Sequence, residues 1–312
     1  LINQPMENEL SYWLALAHSQ NVSTKTKNEI IVKLYNTGQT VIDFFHADLS
    51  SWSSDFGLTE EDISHFTKAK TELANYAFLV ESLLSQGYNI IPITSKQYSP
   101  SLKKNLGKSL APPLLYTKGN IQLFKEDTIA IFGTQKPHDN SLGFTDAIAQ
   151  KSTKKAQAVV SGFAKGVDKY ALDSALKYDG RAIIVLPQGI STFTVGYRNY
   201  YQQIIQGKVL VVSSFPPNTP FNLDFNTERN LIIYGLASEI YVADSSEKDG
   251  SWPWLLECVK RGKKVFVRNP ETGEKNANGL LIREGAQAVN GKGEPIYLPK
   301  DESTSTEQGS LF

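Results

Sequence analysis

Six short runs of almost unbroken apolar residues recur between residues 127 and 269: DTIAIFG, AQAVVSG, RAIIVLPQG, KVLVVSS, EIYVADS and KKVFVRN. Polar residues do not alternate through them, so each reads as a strand covered on both faces, as in a parallel sheet. Between them lie stretches with helical spacing: SLGFTDAIAQKSTKK, KYALDSALKYDG, YRNYYQQIIQG, RNLIIYGLAS and WPWLLECVKRG. Regular alternation of strand and helix predicts a doubly wound, mostly parallel α/β sheet with right-handed crossovers. A ligand is then expected at the carboxyl ends of the strands, where the strand order reverses. Two further short strands, YNIIPIT and PPLLYTKGN, precede this series.

The first 80 residues read as helices. NELSYWLALAHS, TKTKNEIIVKLYNTG (with Gly38 as its stop) and TVIDFFHAD are amphipathic. Thr59 is a good N-cap with Asp62 three residues on, and KAKTELANYAFLVESLLSQG reads as one long helix ending at Gly87. The expected organisation is a helical cap over 1–80, an α/β domain over 81–299 and a disordered acidic tail over 300–312.

The chain has 312 residues, one cysteine (Cys258) and four scattered histidines. That excludes an internal disulfide framework and gives no expectation of a metal or cofactor. No run of about 18 apolar residues predicts a transmembrane helix, and the N-terminal stretch lacks signal-peptide features. A reducing, cytoplasmic setting is expected. Net charge is zero, but residues 1–80 hold 5 Lys/Arg against 10 Asp/Glu, whereas residues 81–299 hold 26 against 19. The basic middle permits an anionic ligand without demanding one.

The loops after the strands carry the candidate site: Gly133, Thr134 and Lys136; Ser161, Gly162, Lys165 and Gly166 in SGFAKGVD; Phe193; Arg229 and Asn230; and Ser251. Glycines let backbone N–H groups approach an anion, helix N-termini favour negative charge, and the hydroxyls and cations add donors. Glycines at such turns also serve geometry alone. Asp168 is either a ligand group, a helix cap or a partner of Lys165 or Arg229. Phe193 is either a core residue or an exposed ring that stacks on unpaired bases. Cys258, Trp252 and Trp254 read as packing residues.

Several enzyme classes fail. A dinucleotide dehydrogenase needs G-x-G-x-x-G after the first strand, and the chain has FGTQKP there; GxxxxGK[ST] and G-x-S-x-G are both absent. No histidine follows His138 to serve a serine triad. Binding is the stronger reading.

SGFAKGVD resembles the S-G-x-A-x-G-[IV]-D motif of the DNA-processing protein A (DprA/Smf) family. IAIFGTQKP, IIVLPQGI, FNTERNLIIYGLASEIYVAD, KDGSW and GLLIREGAQAV resemble its other motifs in order, and ITSKQYSPSLKKNLGKSLAPPLLYTKGN its upstream segment, so the resemblance covers about 10–298. It implies an extended Rossmann-like domain with an N-terminal helical, SAM-like domain, in a cytoplasmic and usually dimeric protein. It also implies non-catalytic binding of single-stranded DNA, with help in loading the RecA recombinase during natural transformation and related recombination. Gly133, Thr134, Ser161, Gly162, Lys165, Gly166, Arg229 and Asn230 then fall on the DNA pocket. The chain departs from the family at Gln135, Lys165, Leu172, Ser214 and Leu231, and carries no counterpart of the C-terminal winged-helix domain of many members. Lost cations at Gln135 and Leu231 should weaken phosphate contacts. Two other readings stand beside this one: a Rossmann-fold sensor of a nucleotide-derived small molecule, and a scaffold with a decayed pocket.

Overall fold

A computed structural model describes residues 7–297. The acidic segment over 300–312 lies outside the described residues.

The chain opens with six helices: α1 Glu7–His18, α2 Thr24–Thr37, α3 Val41–His46, α4 Leu49–Ser54, α5 Glu60–Thr71 and α6 Leu73–Ser85. Gly38 ends α2 in the left-handed region, at φ 70°. Thr59 and Asp62 form a reciprocal capping box that starts α5. The single long helix expected before Gly87 is instead two, because Glu72 (φ −89°, ψ 0°) breaks the path between α5 and α6.

β1 Asn89–Pro92, α7 Pro100–Leu110 and β2 Leu114–Gly119 follow. Then come β3 Thr128–Phe132, α8 Asp139–Lys154, β4 Ala158–Ser161, α9 Val167–Lys177 and β5 Ala182–Val185. The segment YRNYYQQIIQG, expected as one helix, belongs to two short ones, α10 Thr194–Asn199 and α11 Tyr201–Ile205. The chain closes with β6 Val209–Ser213, α12 Asn226–Leu236, β7 Glu239–Val242, α13 Trp252–Lys260, β8 Lys264–Arg268, α14 Asn278–Arg283 and β9 Gln287–Val289. Sequence patterning does not predict α4, α7, α14 or the three-residue β9.

The nine strands among the described residues form one sheet in the order β1-β2-β6-β5-β4-β3-β7-β8-β9. Strands β3 to β9 pair in parallel, and β1 and β2 add an antiparallel edge on β6. This is the doubly wound α/β class that the apolar runs predict. Alternate residues of each strand face opposite cores. Ile183 and Val185 of β5 pack with α7, α12 and α13, while Ala182 and Ile184 face the core shared with the N-terminal helices. Ile129 and Ile131 of β3 pack against α8 and α9. The strand order reverses between β3 and β7, because α12 carries the chain from β6 back past three strands. That reversal opens a crevice at the carboxyl ends of the strands.

Candidate functional site

The loop from β4 to α9 is held by its own backbone. Ser161 Oγ donates to the Asp168 carbonyl (2.7 Å) and accepts from Phe163 N–H (3.1 Å). Val167 N–H donates to the Thr134 carbonyl (3.3 Å), which ties this loop to the one after β3. Gly166 sits at φ 92°, and a Cβ there would lie 2.3 Å from the Thr134 carbonyl oxygen, so this position requires glycine. Gly162 serves a different purpose. A Cβ on it would lie 2.6 Å from Arg229 Cζ, because the guanidinium of Arg229 rests on this residue.

Arg229 comes from the second turn of α12 and is 7% exposed. Its Nη1 donates to the Gly162 carbonyl (3.3 Å), and its Nε and Nη2 both donate to Asn230 Oδ1 (3.2 and 2.8 Å). Among the described residues, no carboxylate lies within ion-pair distance of it. Asp168, also buried, is near enough to couple electrostatically. Burial pushes its carboxyl up to about 6, and the Arg229 charge opposes that rise. Burial likewise disfavours the charge on Arg229, with Asp168 working the other way. Asp168 neither caps α9, whose N-cap is Gly166, nor forms a close ion pair.

These groups line a cleft of about 580 Å³ at the strand ends, beginning beside the β3/β7 reversal. Of the residues singled out from the sequence, Gly133, Gly162, Lys165, Phe193, Arg229, Asn230 and Ser251 line it; Thr134, Lys136, Ser161 and Gly166 do not. Ser161 and Gly166 act behind the surface, as described. Lys136 is exposed. Thr134 Oγ1 is buried without a hydrogen-bond partner, as is Asn226 Oδ1 in the cleft lining. Phe193 is 6% exposed and packs edge-on against Phe163 and Tyr197, so the expectation of an exposed stacking ring there is not met. The cleft's charged side chains are Lys165, Arg229, Asp168 and Asp249. Burial, with Asp244 adding to it, raises the Asp249 carboxyl.

The substitutions noted in the sequence separate by place. Gln135 lines the cleft, whereas Leu172 is fully buried in the core. Ser214 and Leu231 line a second, larger cavity of about 900 Å³ on the far face of α12, against the N-terminal helices and α13. Its lining includes Lys27, whose Nζ donates to the Ala17 carbonyl (2.8 Å) and which burial lowers to about 8 against the pull of Glu228. The loss at Leu231 therefore removes no charge from the cleft.

The sequence does not mark the exposed apolar part of the lining. Val195, Phe221 and Leu223 line the cleft while remaining 63%, 57% and 65% exposed. Among the described residues, no group of three or more His, Cys, Asp or Glu is placed to hold a metal.

Fold and site together define an extended Rossmann-like α/β protein with a cleft of mixed charge at the reversal of strand order. The family model described as DNA recombination-mediator protein A matches residues 89–297, and the chain belongs to that family. It is 30% identical over 207 residues to the DNA processing protein DprA of Bacillus subtilis, covering 65% of this chain and 69% of that one. Across five curated relatives the matches span 46% to 69% of the relatives' lengths. The X-ray structure of DNA processing protein A from Streptococcus pneumoniae superposes with a TM-score of 0.75 at 22% identity, covering 95% of this chain and all of that one. A structure of DNA processing protein A from Helicobacter pylori, described for its single-stranded DNA binding mode, superposes with a TM-score of 0.54 at 24% identity. It covers 65% of this chain and 90% of the other.

Proposed function

We propose that the cleft binds single-stranded DNA, with backbone phosphate seated on Lys165, the Gly162 backbone and Arg229. The observation that carries this reading is Arg229, a buried guanidinium on the wall of an open cleft with no carboxylate within ion-pair distance among the described residues. A phosphate supplies the anion that this charge lacks, and Arg is suited to bidentate phosphate contact. Family membership and the Helicobacter pylori protein's described binding of single-stranded DNA support the same ligand.

In this reading the protein is a recombination mediator that protects incoming DNA and helps load a RecA-type recombinase, as a cytoplasmic homodimer. It acts by binding rather than catalysis. Residues 1–80 serve as a cap beside the DNA-binding domain over 81–299. No helix among the described residues is long and apolar enough to cross a membrane.

The test is fluorescence anisotropy of labelled oligo-dT at several salt concentrations, with duplex DNA as competitor and Arg229→Ala and Lys165→Ala beside the wild type. Salt-sensitive binding that prefers the single strand and weakens in both variants is expected. Flat titrations of folded protein at low salt overturn the proposal.

A further inference from the structure

We infer that Phe221, with Leu223 and Val195 beside the same cleft, forms a stacking rim for unpaired bases. This inference rests on the reading of the cleft as a strand-binding site and adds to it the element that selects unpaired DNA.

Single exposed apolar side chains are common on protein surfaces and mean little. Three on one cavity are a different matter, and here they come from two separate connections. Val195 lies at the start of α10, between β5 and β6; Phe221 and Leu223 lie between β6 and α12. All three are more than half exposed.

The connection carrying Phe221 is not a loose loop whose side chains happen to point outward. Gly189 N–H donates to the Thr219 carbonyl (2.8 Å), and Ser191 N–H to the Pro217 carbonyl (3.0 Å). Asn222 N–H donates to the Pro187 carbonyl (3.4 Å), and Asn222 Oδ1 accepts from Asp224 N–H (3.0 Å). At its ends, Phe215 and Phe225 stack with ring centroids 4.5 Å apart. The backbone is fixed on both sides of Phe221, so the ring is held out in water by a built support.

Charge in the cleft argues for a second source of affinity. Lys165 and Arg229 are offset by Asp168 and Asp249, and Gln135 brings no charge. Phosphate contacts alone are therefore few. Aromatic faces stack on any base without regard to sequence, and the base faces are available in a single strand but already stacked in a duplex. A rim of this kind supplies both added affinity and the preference for unpaired DNA. Phe193, the ring that the sequence offers for this role, lines the cleft but is 6% exposed and packed against Phe163 and Tyr197.

The experiment compares two labelled oligomers of equal length and charge: oligo-dT, and an abasic oligomer of tetrahydrofuran phosphates. Phe221→Ala is expected to bind oligo-dT about ten-fold more weakly than wild type and the abasic oligomer equally well. Phe221→Trp should restore oligo-dT binding. Its fluorescence should change with oligo-dT and not with the abasic oligomer, after subtraction of the wild-type signal. Lys165→Ala should weaken both. Phe221→Ala that binds both oligomers like wild type overturns the rim. So does an equal loss on both, which would make Phe221 a support for the loop. A changed sedimentation coefficient with unchanged DNA affinity would assign the rim to a second copy of this chain and overturn it too. Wild-type protein that binds neither oligomer fails at the earlier step, and takes down the cleft reading together with the rim.

Discussion

Two arginines are buried among the described residues, and they are answered in different ways. Arg268, at the end of β8, is 3% exposed. Its Nε donates to the Ala243 carbonyl (2.9 Å), and its Nη1 and Nη2 reach the two carboxylate oxygens of Glu274 (3.2 and 2.8 Å). A longer contact runs from Nη2 to Ser141 Oγ (3.4 Å). Glu274 also accepts from Asn140 and Asn276. Burial alone would raise the Glu274 carboxyl, but hydrogen bonds from Arg268 and Asn140 and the Arg268 charge bring it down to about 2. Arg229 shares one amide oxygen and one carbonyl, and the carboxyl that feels its charge is driven up instead. A completed guanidinium is part of the fold. An incomplete one, on the wall of a cleft, marks where an outside anion fits.

The sharpest way to break this contrast is to remove each charge in turn. Arg268→Met leaves the partly buried Glu274 without its cation and should cost about 3 kcal/mol of stability by urea denaturation. Arg229→Met should cost less, about 1–2 kcal/mol, because it strands the Asn230 Oδ1 and Gly162 carbonyl acceptors but breaks no close ion pair. Equal losses in the two variants would erase the distinction.

The two carboxyls titrate in opposite senses. Asp168, raised from its ordinary value of 3.8 to about 6, takes up a proton more readily when folded. Its contribution is therefore most favourable below pH 4 and falls away as pH rises through 6, by on the order of 2–3 kcal/mol. Asp168→Asn should flatten that part of the stability profile. Glu274 is depressed, so its contribution is present above its ordinary value of 4.5 and is lost as pH falls toward 2. Glu274→Gln should remove the acid-side loss and leave the Asp168 slope in place.

Binding gives the next effect in size. Arg229→Met should lower oligo-dT affinity about ten-fold or more, in keeping with about 1.5–3 kcal/mol for a hydrogen bond to a charged group. Affinity of the wild type should rise several-fold between pH 7.5 and 5.5, as Asp168 loses its charge beside the phosphate; Asp168→Asn should abolish that rise. The smallest effect is the salt dependence. With Lys165 and Arg229 as the cations in the lining, the slope of log K against log salt should be about −1.4. A slope steeper than about −3 would mean that cations outside the cleft, Lys136 among them, carry the strand.

Much of the fold was legible because burial on both faces leaves strands with little room for polar residues. The β3 to β8 series could be read from that pattern alone. SGFAKGVD was legible too, since a residue at φ 92° with a carbonyl oxygen 2.3 Å from a would-be Cβ admits only glycine. The roles inside the motif were less so. Ser161 looks like a phosphate donor in sequence and proves to be bound to its own loop. Leu231 was counted with Arg229, yet residues two apart on a helix lie about 200° around its axis. That spacing alone places Leu231 on the opposite face, and the 900 Å³ cavity is where it points. Phe193 and Phe221 could not be told apart by composition. Whether a ring is covered depends on neighbours distant in sequence, here Phe163 and Tyr197.

The hydroxyl of Ser161, engaged on both sides of its loop, has a thermodynamic consequence. A floor that is already ordered gives up little chain entropy when a ligand arrives, so nearly all of the ordering loss falls on the DNA. Shortening or stiffening the strand would then change the entropy of association far more than loosening the protein would.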